Sequence, residues 1–413
     1  MILKETICQD VDERQIILYP PESGNTISFF GAWTIMVNLV LTYDHNYLSG
    51  KLGCGIFQSA IIGLVVFSIN TISFMVYMRC WRLGKDSSYP GLWKNTIGKS
   101  TMWFPRLMII FGYIYFVVEF YSTMINDVKT ISGYYNIKKL SDVAISYSIS
   151  FLTFLFYGPF PDISFFVKHS IISLISCICI IAMAISLMIH NYQINGFQKN
   201  IIWWNNSFYS LEVASIYSID LFMQPFIHAI FSRLENPSLQ RMNKNGIIVQ
   251  SFVTIWIFIM GTIGYLSFPN NNSSDPIYWK YPTSLRLIAS ILNFINSFTT
   301  NGLIVNLIQR EMVDLFLDGT SNKKVAIVPA AVLLIVVGGS LGLWSFNLRH
   351  NVKIVGDIIN CFLLYILPYI FYFKTKLKMK LREKLVISIF FILGTTLAVF
   401  LLYIDYVRIM KNW

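Results

Sequence analysis

Charge is what this sequence has least of. Of its 413 residues only 13% are Asp, Glu, Lys or Arg, about half the share carried by ordinary soluble domains. So little charge cannot clothe the surface of a globule this long, which excludes a soluble enzyme, a disordered chain and a nucleic-acid-binding domain. Cysteine is equally unhelpful. The six cysteines are scattered, with no C-x-x-C or zinc-ligand spacing, and so point to no disulfide or metal framework. The five histidines never recur at metal spacing on one helix, and there is no glycine-rich phosphate loop. The first 25 residues carry Glu5, Asp10, Asp12, Glu13 and Glu22 against Lys4 and Arg14. A cleavable signal needs a basic start followed at once by an apolar core. Residues 1–25 are therefore expected to form a cytoplasmic amino-terminal segment, with residues 26–413 as one transmembrane domain.

What is present is hydrocarbon: 55% of the residues are hydrophobic and 16% aromatic. Eleven apolar runs are long enough to cross ~30 Å of bilayer core as helices. They cover about 26–50, 54–79, 102–125, 146–162, 168–190, 208–231, 247–268, 284–307, 325–346, 355–373 and 385–407. With the amino terminus inside, Lys and Arg fall on the inner side in a roughly two-to-one excess, in line with the positive-inside rule. The inner loops explain the net charge of +11. The densest of them, Lys374 to Lys384, either sets orientation or meets anionic lipid. Sequons at Asn205, Asn271 and Asn272 fall on the outer side.

One catalytic pattern is a decoy. Gly338-Gly339-Ser340-Leu341-Gly342 spells the G-x-S-x-G nucleophile elbow, which requires a strand-to-helix turn above a sheet. Inside an apolar helix the same small residues allow close helix packing. No catalytic residue is assigned, and no enzyme activity is expected.

Polar residues inside spans say more, because a carboxylate in hydrocarbon costs several kcal/mol, on the order of 2.5 or more. Glu119, Asp162 and Glu212 fall near expected span ends. Asp220 falls mid-span, five residues before Pro225, among Ser218 and Gln224. Proline removes a helix hydrogen bond and crowds the preceding turn, so a broken helix is expected there, a paired or protonated Asp220 in a kinked one being the plainer reading. The first span has a comparable oddity at Thr42-Tyr43-Asp44-His45-Asn46, where the helix either ends at the outer surface or breaks and resumes. Two broken spans five helices apart are the pattern of an inverted-repeat transporter. On the eighth span Ser290, Asn293, Ser297, Thr300 and Asn301 share one face, suited to interhelical hydrogen bonds or to sodium.

Several motifs, in order along the chain, resemble the amino acid/auxin permeases, a family that includes the sodium-coupled neutral amino acid transporters and the vesicular inhibitory amino acid transporter. The strongest runs from Gln224-Pro225 through Arg233-Leu234-Glu235-Asn236-Pro237-Ser238-Leu239-Gln240-Arg241-Met242. There the family has a His-Pro pair and then E-L-x-x-P-S-x-x-R-M. Gly261 to Phe268 is similar to G-x-x-G-Y-L-x-F, Ser88 to Leu92 with Gly98-Lys99 to S-Y-x-x-L…G-K, and Gly356-Asp357 with Leu367-Pro368-Tyr369 to the span-10 pattern. The sequence departs from the family where Thr42-Tyr43-Asp44 replaces G-x-G, Ile219-Asp220-Leu221 replaces F-A-F, and Gln224 replaces histidine.

The resemblance implies an all-α membrane protein of about eleven helices with a leucine-transporter-like 5+5 inverted repeat. It implies secondary active transport of amino acids or related small solutes, in a plasma, vacuolar or vesicular membrane. Substrate is expected at Asn38, Thr42, Tyr43, Asp44, Ser218, Asp220 and Gln224. The coupling ion, Na+ or H+, is expected at Asp220, Ser297 and Thr300, with no other cofactor. The missing G-x-G motivates one alternative, a membrane receptor or sensor that keeps the permease fold without transport. The partners expected are an amino acid and the bilayer, not nucleic acid.

Overall fold

A computed structural model describes residues 26–41, 54–81, 88–137, 141–158, 163–195, 201–205, 209–267, 281–316, 336, 339–340, 355–375 and 381–411. Helices dominate them because lipid offers no partner for an open backbone. Eight helical segments among the described residues are long and apolar enough to cross a membrane. They are α2 (Ile56–Cys80), α4 (Trp103–Tyr134), α6 (Phe165–Asn195), the pair α7 (Tyr209–Asp220) and α8 (Gln224–Phe231), α9 (Leu239–Ser267), α10 (Thr283–Phe316), α11 (Val355–Lys374) and α12 (Leu381–Lys411). Three shorter helices are α1 (Phe29–Val40), α3 (Tyr89–Thr96) and α5 (Asp142–Tyr157). At 1.5 Å per residue α1 spans only about 18 Å, and its last residues are fully buried.

Ten of the eleven expected spans thus contain a described helix. The ninth lies outside the described residues except for Val336, Gly339 and Ser340. Two limits shift. The third span continues to Tyr134, which places half-buried Glu119 in mid-helix rather than near an end. The fourth runs from Asp142 to Tyr157, and Asp162 lies outside the described residues. Gly339 packs as its small size suggests: its carbonyl accepts from Ser146 Oγ at 2.7 Å, and a Cβ on it would stand 2.8 Å from Ser150 Oγ.

Local chemistry explains how the elements begin and stop. Ser28 and Ser88 cap α1 and α3, accepting from Gly31 N at 3.0 Å and Gly91 N at 3.1 Å. A parallel bridge ties the entry to α1 onto the exit of α8: Ile27 N donates to Arg233 O at 2.8 Å, and Glu235 N to Ile27 O at 2.9 Å. Within α11, Phe362–Ile366 forms a π-helical turn just before Pro368. Pro368 has no N–H with which to close the preceding turn. The carbonyls left over are met from neighbouring helices: Tyr89 Oη donates to Leu363 O at 2.8 Å, and Ser73 Oγ donates to Leu364 O. Three elements of one end of the bundle are locked together by one missing N–H.

That end is the basic one. Arg79 on α2 pairs with Glu383 on α12, Arg106 on α4 donates to Asp314 O on α10, and Trp81, which caps the end of α2, packs on His228 of α8. Lys94, Arg233, Arg241, Lys374 and Arg382 sit in the same helix ends and connections. It is the end that the positive-inside rule assigns to the inner side.

Candidate functional site

Helix α7 stops at Asp220 and α8 starts at Gln224, with Pro225 in its first turn. Proline is harmless at that position and leaves no N–H for Leu221 O. Leu221, Phe222 and Met223 form the unwound link, and all three are buried. Phe222 is held there by aromatic packing: it stacks on Phe116 of α4 at 5.9 Å, while Phe226 stacks on Tyr113 at 4.6 Å. The interruption therefore lies inside the bundle, against α4. Ser218, Asp220 and Gln224 flank it at 3%, 0% and 0% exposure. Asp220 lies beside Tyr217, whose hydroxyl is near Ser59 of α2. Ser218 lies near the hydroxyl of Tyr365 in the π turn of α11, as does Asn70. Neither amide atom of Gln224 has a hydrogen-bond partner among the described residues. A buried amide left that way costs about 1–3 kcal/mol unless water or a ligand meets it.

The carboxyl end of α1 supplies a second polar group. Asn38 is 3% exposed, and its Oδ1 accepts from Thr300 Oγ1 of α10 at 2.8 Å and from Ser173 Oγ of α6. Ser173 Oγ also lies against Asn296 Oδ1 of α10, and Asn38 Nδ2 donates to Ser170 Oγ at 3.3 Å. Thr300 Oγ1 further lies 2.9 Å from Asn296 O and 3.4 Å from Asn38 O. Each hydroxyl has one proton to give. The single Ser173 proton faces two amide oxygens, and the single Thr300 proton faces three oxygens. Side-chain oxygens from three helices thus converge at one point, and these residues could hold a cation. The partial negative charge at the end of α1 adds to this.

The predicted residues thus separate. Asn38 and Thr300 join in the α1–α6–α10 cluster, while Ser218, Asp220 and Gln224 gather at the α7–α8 interruption. Ser297 is buried on the same helix as Thr300, and its Oγ has no hydrogen-bond partner among the described residues. Thr42, Tyr43 and Asp44 lie outside the described residues. All five polar residues of the α10 stripe are buried, as a polar face in lipid must be. Sequence reasoning missed Ser170, Ser173 and Asn296. A three-residue spacing of serines, Ser170, Ser173 and Ser176, was the available signal on α6. It also missed Asp127 of α4, fully buried and accepting from Asn293 Nδ2 of α10 at 2.8 Å.

A membrane helix broken at its centre beside a buried carboxylate, with an oxygen-lined cluster among its neighbours, is the architecture of a small-solute carrier. The family model for transmembrane amino acid transporter proteins matches residues 52–407. The chain belongs to that family. It is an integral multi-pass membrane protein and a secondary transporter of amino acids or related small solutes. No significant match to a curated protein sequence is found.

Solved structures show the same fold at low identity. A substrate-bound, outward-open Na+-coupled sialic acid symporter is 11% identical, covering 94% of this chain and 90% of its own, with a TM-score of 0.62. MhsT in complex with L-phenylalanine is 12% identical, with 91% and 97% covered and a TM-score of 0.56. Mhp1, a nucleobase-cation-symport-1 family transporter in a closed conformation with bromovinylhydantoin bound, is 11% identical, with 96% and 97% covered and a TM-score of 0.52. The fold is leucine-transporter-like.

Proposed function

We propose that this transporter carries a zwitterionic amino acid at the α7–α8 interruption and couples it to Na+ held by the α1–α6–α10 cluster. The observation that carries the proposal is the convergence of Asn38 Oδ1, Ser173 Oγ, Asn296 Oδ1 and Thr300 Oγ1, four oxygens from three helices of a kind that ligate Na+. Ser297, three residues before Thr300, is available as a further oxygen ligand. The substrate carboxylate meets the amino end of α8, where the helix dipole favours an anion, and the unbonded Gln224 amide. Asp220 at the opposite lip takes the ammonium, with Ser218 beside it. Thr42, Tyr43 and Asp44, which follow α1 in sequence, complete the substrate site in this scheme. A solute of this kind agrees with the family.

Uptake of radiolabelled amino acids into proteoliposomes tests the proposal. An inward Na+ gradient at equal pH on both sides should drive accumulation, and a proton gradient without Na+ should not. Accumulation driven by the proton gradient alone would move the coupling role to a carboxylate, with Asp220 the first candidate. Substrate binding without flux under either gradient would refute transport coupling altogether.

A further inference from the structure

Between α2 and α12, at the basic end, lies a groove of 360 Å³ lined by residues of those two helices alone. Its walls are aliphatic, formed by Ile72 and Met75 of α2 and Val386 and Ile387 of α12. Its mouth is charged: Arg79, Arg382 and Glu383 line the rim. Glu383 is already engaged, accepting from Arg79 and from Tyr372 Oη at 3.1 Å. Two guanidinium groups against one carboxylate leave the rim net positive. Lys374 and Lys384, both exposed, flank it in sequence.

The setting decides the occupant. Helix α12 is the least enclosed of the long helices: only 22% of its most apolar stretch is buried. Leu385, Ile389 and Ile392 beside the groove are 57%, 54% and 62% exposed. Side chains of that kind at that depth face acyl chains, so the groove opens to hydrocarbon while its rim reaches the headgroup layer. A soluble anion has no use for the aliphatic walls, and a neutral hydrocarbon has none for the arginines. One molecule type satisfies both, with a chain for the groove and a phosphate for the rim. Arginine meets phosphate oxygens through paired N–H groups, and the anionic lipids of the cytoplasmic leaflet add net attraction to a basic rim.

We propose that the α2–α12 groove is a binding site for one anionic phospholipid of the inner leaflet, with an acyl chain between Ile72 and Val386 and its phosphate on Arg382 and Arg79. The site holds whatever solute the protein carries. Two arms of one experiment test it on the purified full-length protein. Thermal unfolding in detergent is followed with phosphatidylserine, with phosphatidylcholine of the same chains, and with soluble glycerophosphoserine. Native mass spectrometry counts the lipids retained.

Phosphatidylserine should raise Tm and be retained at one copy per chain. Phosphatidylcholine should be retained at least threefold less, and the headgroup alone should do nothing. Arg382→Gln, on an exposed side chain, should cut phosphatidylserine retention at least threefold without changing Tm in its absence. Val386→Trp, which fills the groove and keeps the rim charge, should do the same. Equal retention of the two lipids would reduce the site to a greasy crevice and overturn the proposal. So would a Tm rise with glycerophosphoserine alone, undiminished retention in both variants, or no retained lipid at all.

Discussion

Replacing Thr300 by valine separates an ion ligand from a structural hydrogen bond. Valine keeps the shape of threonine and deletes only the hydroxyl, which lies 2.8 Å from Asn38 Oδ1 and 2.9 Å from Asn296 O. If that hydroxyl only ties helices together, its loss costs what interhelical hydrogen bonds cost in bilayers, about 0.6 kcal/mol on average and about 1.7 at most. If it also faces a bound cation, ion affinity falls by the worth of a hydrogen-bond-like contact to a charge, about 1.5–3 kcal/mol. That corresponds to roughly a 10- to 150-fold rise in half-activating Na+, at about 1.4 kcal/mol per decade. The assay is initial uptake against Na+ concentration at fixed substrate, with thermal unfolding measured in parallel. Thr300→Ser restores the oxygen and should bring half-activation back to within about threefold of the parent. Half-activation in Thr300→Val that moves less than about threefold, the equivalent of 0.6 kcal/mol, while stability falls as stated, would refute the cation role and leave the cluster as helix glue.

Asp220→Asn should weaken amino acid affinity at least tenfold through loss of a charged partner, while half-activating Na+ stays within about threefold. An equal effect on both would assign the charge to coupling instead. Tyr89→Phe strips Leu363 O of its 2.8 Å donor and should cost about 1–3 kcal/mol in thermal unfolding. Adding Pro368→Ala, which returns an N–H to α11, should recover part of it, and an undiminished loss in the double variant would count against the π-turn account. Gly302→Ala puts a Cβ 2.3 Å from the ring of Tyr157, which is 2% exposed and stacked on Phe166 at 5.5 Å. Overpacking there should cost about 1–3 kcal/mol. Gly133→Ala, with open space around it, is the control and should be neutral in the same assay.

The helices were legible because the physics behind them is local. Any run of about twenty apolar residues must be a helix in lipid, so in the ten spans that contain a described helix only limits moved, as at Tyr134. The α7–α8 interruption was legible for a related reason. Pro225 deletes a specific backbone bond, and Asp220 and Gln224 are not tolerated in mid-span without a purpose. The π turn in α11 was not legible, although Pro368 stood in plain view. A proline alone does not say whether its carbonyl partners will be met by a kink, by water or by side chains. Here the answer came from Ser73 and Tyr89, 291 and 274 residues away along the chain.

The same asymmetry governs the polar site. A lone carboxylate announces itself by its cost, whereas Asn38, Ser170, Ser173, Asn296 and Thr300 are each ordinary in a membrane helix, and only their convergence is informative. Asp127 shows the limit from the other side. The apolar run that predicts the third span ends two residues before it, where a carboxylate costs little. With α4 running to Tyr134 the same residue lies at 0% exposure against Asn293, on the polar face of α10 that carries Thr300 two turns further along. One face of α10 thus serves a carboxylate at one level and an oxygen cluster at another. Small residues alone would have held the helices as close, so the cost of so many polar groups in hydrocarbon agrees with the ion and solute path proposed above.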